Sequence, residues 1–514
     1  MSEPLLKGST APWGADLLAH VADFKSSFGH HTPHDSFGMP EESEGSILSA
    51  GMLDLIAKSK ISISRSWGFP SSAQTCFDQM WPQDQSQGLS RARFRADPIT
   101  RRAMHSESMT DASTSVIHRV VRQLIPRSVN ANAQMRESYL AFILSEYESH
   151  RLRKFFRSPP SSQSQGLLSR MKRSETLLGF MYLGAKVFEA LADKPRNSTM
   201  RSCAHWIDRY DRKFTSDPLN PSVEQGSDRL TQLLELVYLK IMVVNTIAGY
   251  LFLQRALSTF LHMVSVDPRL YSEHRGLLVI SLSRVLTISR YEIRRFVFYD
   301  IMCALVLGVP PLAEYNFGDS LESSLPIEGF HGIPAQWVVD IGYVHHWRST
   351  QPEVLNQDDW GSLESRTLAW KPRMVELYSE ESTELIARMA VQESWRHATL
   401  IYIYMGMCKF DSHNPRVQFS VRQIIQLVRL IAETPIEVHF SVPCIIAGVA
   451  ARYENQRALV KSKLLSFCNT HIWILRGADF VPVLNYLWQG AAATGRAVLW
   501  EDYVDARCTI LPIA

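Results

Sequence analysis

Apolar residues recur at helical spacing over most of this sequence, and that pattern limits the possible folds more than any other feature. From about residue 116 onward they return every three or four positions, which places them on one face of a helix. Clear examples are Ile117, Val120, Val121 and Leu124, ending at Pro126, and Val417, Val421, Ile424, Ile425, Val428 and Ile431. There is no alternating strand pattern of useful length and no repeat at a fixed period. The sequence therefore predicts an all-α, multi-helix fold.

Further helices are expected between these two examples. They are predicted over residues 135–156, 177–191, 277–289 and 291–307, the last ending at Gly308, Pro310 and Pro311. The apolar stretch 230–264 is long enough for two helices or for one long buried helix. Residues 312–372 lack the period and contain Pro326, Gly329, Gly332, Pro334 and Gly361, so a turn-rich insertion is expected there.

The first 115 residues differ in composition from the rest. They are rich in Ser, Pro, Gly, His and Asp and hold only short apolar patches. Such a composition buries too little apolar surface to offset the entropy that a chain loses on folding. We therefore expect a largely disordered, low-order region over 1–115, with one short helix near 46–60, followed by a helical domain over 116–514.

Five arginines are concentrated in the basic segment 90–102, at positions 91, 93, 95, 101 and 102. Short basic runs are common in solvated linkers, and the first interpretation of this segment is such a linker. The alternative is a nuclear-import or phosphate-contacting patch. The formal net charge of the chain is only +3, which is too small to indicate a nucleic-acid or membrane partner by itself.

The cysteine pattern and the absence of targeting signals indicate a reducing compartment. The seven cysteines lie at 76, 203, 303, 408, 444, 468 and 508, an odd number spread too widely for a disulfide framework. The N-terminal residues do not resemble a secretory signal. The most apolar stretch, 241–254, includes Asn245, Thr246 and Gln254 and falls short of the roughly 20 apolar residues that a membrane span needs. We expect a nuclear or cytoplasmic protein without a membrane partner.

The recurrent catalytic signatures are missing from the sequence. It has no glycine-rich phosphate-binding loop, no His-Glu-x-x-His motif and no Gly-x-Ser-x-Gly elbow. The candidate metal ligands are Asp358 with Asp359, His345 with His346, Cys203 with His205, and the group His30, His31 and His34. Each set lacks further ligands that a zinc site or an acidic metal cluster needs. We therefore expect no catalytic, cofactor-binding or metal-binding residues, no cofactor, and no enzyme activity.

Several short segments in the C-terminal part resemble one known family when taken in order. They are Glu393-Ser-Trp-Arg-His-Ala-Thr-Leu-Ile-Tyr-Ile-Tyr404, Pro415-Arg-Val417 with Val421-Arg422, Val442-Pro443 through Ala447-Gly448, and Leu487-Trp488 with Trp500-Glu-Asp502. Upstream, Arg294-Arg-Phe-Val-Phe-Tyr-Asp-Ile-Met302 fits the same order. Together they resemble the C-terminal regulatory domain of fungal-specific transcription factors, over roughly residues 130–514. The order and spacing carry the resemblance, since no single motif is specific.

The resemblance also exposes a difference from the family. There, the regulatory domain commonly follows a zinc binuclear cluster, in which six cysteines that begin Cys-x2-Cys-x6-Cys hold two zinc ions. In this sequence Cys76 is the only cysteine before Cys203, so the cluster is absent. An arginine run contacts phosphates rather than bases. DNA binding by this chain alone is therefore doubtful.

The resemblance implies a transcription regulator of the nucleus whose helical domain receives a regulatory input. That input would be a small-molecule effector or a partner, either another transcription regulator or a second copy of the chain, in a homo- or heterodimer. The alternative is a helical scaffold or dimerising decoy regulator without DNA binding. A metal-dependent helical enzyme ranks below both because no carboxylate cluster supports it.

Overall fold

The computed structural model describes residues 131–157, 161–192, 197–214, 222–274, 276–318, 326–350, 357–371, 382–431 and 434–513. The expectations for residues 1–115, including the basic segment 90–102 and His30, His31 and His34, lie outside the described residues. The same is true of the helical pattern that ends at Pro126.

Seventeen α-helices make up most of the described residues, and the all-α prediction is confirmed. The first eight are α1 Ala131–His150, α2 Ser161–Arg173, α3 Glu175–Ala192, α4 Asn197–Phe214, α5 Val223–Val243, α6 Thr246–Ser265, α7 Leu282–Thr287 and α8 Tyr291–Leu307. Next come α9 Pro326–His331, α10 Ala335–Thr350, α11 Gln357–Ala369, α12 Ser382–Tyr402 and α13 Pro415–Leu430. The last four are α14 Ser441–Val449, α15 Glu454–Ser466, α16 Phe480–Gln489 and α17 Trp500–Ile510.

The long apolar stretch 230–264 forms two helices, α5 and α6, joined by a two-residue turn at Val244 and Asn245. The Asn245 side chain caps α6 by accepting a hydrogen bond from the Ala248 amide at 2.8 Å. Asp479, far along the chain, accepts a second bond from the Thr246 amide at 2.7 Å. The two helices pack side by side as an antiparallel pair. Among the described residues, no helix is both long and apolar enough to cross a membrane.

Helix α8 begins and ends where the sequence predicts, at residues 291 and 307. Gly308 follows it with a φ of +63°, the left-handed conformation that glycine adopts without strain. The buried Asp300 side chain then fixes the following loop, accepting hydrogen bonds from the amides of Leu312 and Ala313 at 2.7 and 3.2 Å.

The segment 312–372, predicted to be a turn-rich insertion, instead contains helices α9, α10 and α11. Two of its prolines and glycines mark helix ends: Pro326 starts α9, and Gly332 follows it with a φ of +69°. Gly329 and Gly361 instead lie inside α9 and α11. Helix α10 is buried on most sides, with Trp337, Val344 and other side chains in the core. A helix that is surrounded by protein has no polar face, so the one-sided period that predicts helices is missing from its sequence.

A small sheet accompanies the helices, although the sequence showed no strand pattern. Strands β1 Tyr271–His274 and β2 Leu277–Ser281 form an antiparallel hairpin, and β3 Tyr315–Asn316 pairs parallel to β2. The prediction of a helix over 277–289 was wrong for its first part, because Gly276 turns the chain at a φ of +79° and β2 precedes α7. Strands of two to five residues are too short for an alternating pattern to show.

One continuous hydrophobic core joins the N-terminal and C-terminal helices, running from Leu140 on α1 to Ala506 on α17. Helix α12 packs against α10, α13 and α14, and a π-helical turn, Ile403–Met407, extends it. The tryptophans Trp337, Trp395 and Trp500 are among the largest side chains that are fully buried. Helices α1 to α4 therefore belong to the same core as the rest.

Candidate functional site

A buried ion-pair network surrounds Glu235, which lies on α5 in the middle of the core. Arg151, just after α1, donates hydrogen bonds to both carboxylate oxygens, at 2.7 and 2.8 Å. Arg295 on α8 donates from Nη1 at 3.2 Å, and the hydroxyl of Tyr147 donates at 2.7 Å. All four side chains are at most 6% exposed. The network therefore ties α1, α5 and α8 together.

The charges in this network stabilise one another against the effect of burial. Burial alone would raise the pKa of Glu235, but the positive charges of Arg151 and Arg295 outweigh it and hold that pKa below its usual value. Burial alone would lower the pKa of Arg151, but the negative charge of Glu235 outweighs this effect, and the pKa of Arg151 is raised. The network is therefore ionised at neutral pH, with two guanidinium groups for one carboxylate.

A cluster of aromatic rings and two histidines lies beside this network. The indole of Trp473 donates a hydrogen bond to Nδ1 of His331 at 2.9 Å, and the ring of His331 stacks on Phe298 with centroids 3.7 Å apart. The ring of His439 packs against Trp473 at 4.9 Å. Burial, followed by the proximity of His439 and the arginines, holds the pKa of His331 well below its usual range. Burial lowers the pKa of His439 to about 4, so both rings are neutral at pH 7.

Lys154 connects the ion-pair network to the aromatic cluster. It ends the short 3-10 turn Leu152–Lys154 that follows α1. Its ammonium group donates a hydrogen bond to the carbonyl of Thr470, and its own carbonyl accepts one from Nε2 of His439 at 2.8 Å. Burial, together with the positive charge of Arg151, lowers the pKa of Lys154 to about 7. This lysine is therefore close to losing its charge at neutral pH.

A third buried arginine, Arg294 on α8, is only 2% exposed. Tyr291 and Phe298, one turn before and one turn after it, contact Phe330 and His331 of α9, so Arg294 lies on the face of α8 that meets α9. Its Nε and Nη2 atoms are buried and have no hydrogen-bond partner among the described residues. Burial lowers its pKa to about 10, and the guanidinium stays charged at neutral pH.

These side chains form one site, which we call the buried cationic centre: Arg151, Lys154, Glu235, Arg294, Arg295, His331 and His439. Its arginines outnumber its carboxylate by three to one. A centre of this charge attracts anions and repels metal cations. In the part of the chain that the structure describes, no group of three or more His, Cys, Asp or Glu side chains is placed to hold a metal ion.

A second candidate is a surface cleft of about 370 Å³ between α6, the loop after α8 and the C-terminal end. It is lined by Tyr250, Gln254, Val309, Arg507, Cys508, Pro512 and Ile513. The cleft has one charged side chain, Arg507, and no cluster of titratable groups, so it offers less chemistry than the buried cationic centre.

The candidate ligand sets that fall within the described residues are not gathered into a metal site. Cys203 and His345 are buried, His205 and His346 are exposed, and Asp358 and Asp359 lie in the first turn of α11. The buried His345 ring forms a hydrogen bond with the hydroxyl of Tyr402 at 2.8 Å, and burial lowers its pKa to about 3. His345 is therefore a neutral core residue.

The residues of the buried cationic centre were not predicted from the sequence as a site. One signal was present: Glu235 interrupts an otherwise apolar run from Leu233 to Leu239, and a charge in such a run needs a buried partner. The pattern does not say which partner, because Arg151 lies 84 residues away.

A comparison with known families assigns the chain. The family model of the fungal-specific transcription factor domain matches residues 233–511, more than half of the chain. The matched range includes Glu235, Arg294, Arg295, His331 and His439 and leaves out Arg151 and Lys154. Neither the curated proteins nor the solved structures give a match. The resemblance found in the sequence is confirmed, and the chain belongs to the fungal-specific transcription factor domain family.

Proposed function

We propose that this protein is a transcription regulator that acts in the nucleus and whose helical domain receives a regulatory input. The observation that carries the proposal is the family match over residues 233–511. The all-helical fold and the missing catalytic signatures agree with a regulatory rather than a catalytic role.

The buried cationic centre is the part of the domain best placed to receive such an input. It joins α1, α5, α8 and α9 to the segment around Thr470 and Trp473. A change of charge or packing at this point alters contacts between elements that are distant in the chain. A ligand that binds one arrangement more tightly than another shifts the population of the two.

The proposed route to DNA is through a partner. The 514 residues contain no Cys-x2-Cys-x6-Cys sequence, and the family's zinc cluster cannot be built from them. We therefore propose that the chain reaches promoters by pairing with another transcription regulator or with a second copy that is itself recruited. Binding of the purified chain alone to DNA should then lack sequence preference at physiological salt.

Two measurements in fungal cells test the regulatory role. A fluorescent fusion of the full chain should accumulate in the nucleus. The full chain fused to an unrelated DNA-binding module should change the output of a reporter that carries the module's site, and the module alone should not. A fusion that stays outside the nucleus, or a tethered chain that leaves the reporter unchanged, contradicts the proposal.

The decoy regulator remains the second candidate, since the missing zinc cluster favours a chain that pairs without binding DNA. A decoy has no effect when it is tethered, yet it lowers the output of an intact relative when the two are expressed together. The proposed regulator gives the opposite result in the tethering assay, which separates the two.

A further inference from the structure

The charges of the buried cationic centre do not balance. Arg151 and Arg295 share the single carboxylate of Glu235, at 2.7 and 3.2 Å. Arg294 forms no ion pair or side-chain hydrogen bond among the described residues, and Nε of Arg295 also lacks a partner. A buried charge without a partner is strongly unfavourable, and native proteins rarely keep one. The three arginines of the centre therefore carry two positive charges more than its carboxylate balances, and Lys154 adds part of a third near neutral pH.

Two further buried carboxylates lie on α8 and α9, and both form hydrogen bonds with other side chains. The charge of Glu292 raises the pKa of Arg294 against the effect of burial, but no hydrogen bond joins the two side chains. Glu292 accepts a hydrogen bond from Ser227 and lies 3.8 Å from the guanidinium of Arg170. Glu328 on α9 accepts one from the side-chain amide of Gln392 at 2.7 Å. Neither forms a hydrogen bond with Arg294.

The two atoms of Arg294 without a partner, Nε and Nη2, are well arranged to bind an oxyanion. Nε and Nη2 lie on one edge of the guanidinium, and their N–H groups point in nearly parallel directions. Two parallel donors match the two oxygens of a carboxylate or phosphate group. The neighbouring rings of Phe298 and His331 exclude water and carry no charge at neutral pH, and this strengthens the attraction between a guanidinium and an anion.

We infer that Arg294, with Arg295 and Arg151 nearby, binds a small oxyanion, either a carboxylate or a phosphate, inside the helical domain. Because two positive charges are in excess, a dianion should bind more tightly than a monoanion of similar size. The anion would accept hydrogen bonds from Nε and Nη2 of Arg294 and would lie between α8 and α9. Binding does not depend on the proposed function, whereas the use of this site for an effector rests on it.

Thermal unfolding of the purified full chain tests the site. Sodium succinate is the dianionic probe, inorganic phosphate is a second probe that is largely dianionic above neutral pH, and sodium acetate is the monoanion. The assay is run at pH 8, and the ionic strength is held constant with sodium chloride. The midpoint temperature should rise with succinate or phosphate and then saturate, whereas acetate should have a smaller effect. Arg294→Met should weaken the apparent affinity about tenfold or more, the factor expected when a charge-assisted hydrogen bond is lost.

The matched control is Arg269→Met, because the side chain of Arg269 is 88% exposed and forms a surface ion pair with Asp267. This variant should keep the full response to succinate. A wild-type chain without a saturable response overturns the inference. An equal rise in wild type and Arg294→Met also overturns it, because general stabilisation by salts acts on both chains alike.

The stability of the variant without added anion gives a second, independent readout. Arg294→Met removes a buried charge that has no partner, so the midpoint temperature in chloride buffer should rise or stay the same. A structural arginine with unseen partners would give a marked fall, and that result overturns the inference. If succinate binds but the tethered Arg294→Met chain keeps wild-type reporter output, the site stands and its regulatory use fails.

Discussion

Replacing Glu235 with glutamine tests whether the buried ion-pair network holds the domain together. The variant keeps the size of the side chain and one acceptor oxygen, so the hydrogen bond from Tyr147 can survive. It removes the negative charge and leaves Arg151 and Arg295 buried without a counterion. Breaking a buried pair from one side costs about 3–5 kcal/mol. We expect Glu235→Gln to lower the free energy of unfolding by about that amount.

Urea unfolding followed by far-ultraviolet circular dichroism measures this loss. The control is Glu189→Gln on α3, since Glu189 is half exposed and pairs with Lys186 one turn away on the same helix. An exposed pair contributes about 0–1 kcal/mol, so the control should unfold close to the wild type.

A double-mutant cycle separates a charge effect from general damage to the core. With Arg151→Met already present, only Arg295 is left without its counterion, and Glu235→Gln should cost less than it does alone. Two results refute the reasoning: Glu235→Gln unfolds at the same urea concentration as the Glu189→Gln control, or the effects of Glu235→Gln and Arg151→Met simply add.

Two further predictions concern a titrating lysine and a helix end. The folded-state pKa of Lys154 is about 7, below the ordinary 10.5, so the unfolded chain binds more protons between these values and stability should rise from pH 7 toward pH 10. Lys154→Met should flatten this rise of about 1.4 kcal/mol per pH unit in urea unfolding, and an unchanged slope would contradict the shifted pKa. Gly308→Ala should cost about 1–2 kcal/mol for the left-handed conformation alone. An added Cβ would also lie 2.7 Å from the Val504 side chain. Adding Val504→Ala to the same chain should therefore restore only the part of the lost stability that comes from this clash. Full restoration would argue against backbone strain.

The helical class of the fold was predictable because its signals are local. Amphipathic spacing identified α13, and a glycine followed by two prolines placed the end of α8. The stretch 230–264 allowed one helix or two, and the short turn at Asn245 that divides it has only a weak signal in the sequence. Local rules therefore found helices that have a polar face, as α13 has, or a marked end, as the buried α8 has.

The remaining features depend on contacts between distant segments. Helix α10 is surrounded by protein, and its sequence does not show the alternation of apolar and polar faces by which an amphipathic helix is recognised. The buried cationic centre depends on Arg151 reaching Glu235 across 84 residues, which no pattern of spacing encodes. Family resemblance did not supply it either, since the matched range begins at residue 233 and leaves Arg151 out.

The contact between Lys154 and His439 has a consequence for how the chain folds on the ribosome. The two residues are 285 positions apart, and this hydrogen bond can form only after His439 has been synthesised. At roughly 5–20 residues per second, that delay is on the order of 15 to 60 seconds. During it, the early helices can pack against one another, but the surface around Lys154 and Phe155 that the late segment covers stays exposed. A chain whose early segment closes against its late segment completes its core only near the end of translation.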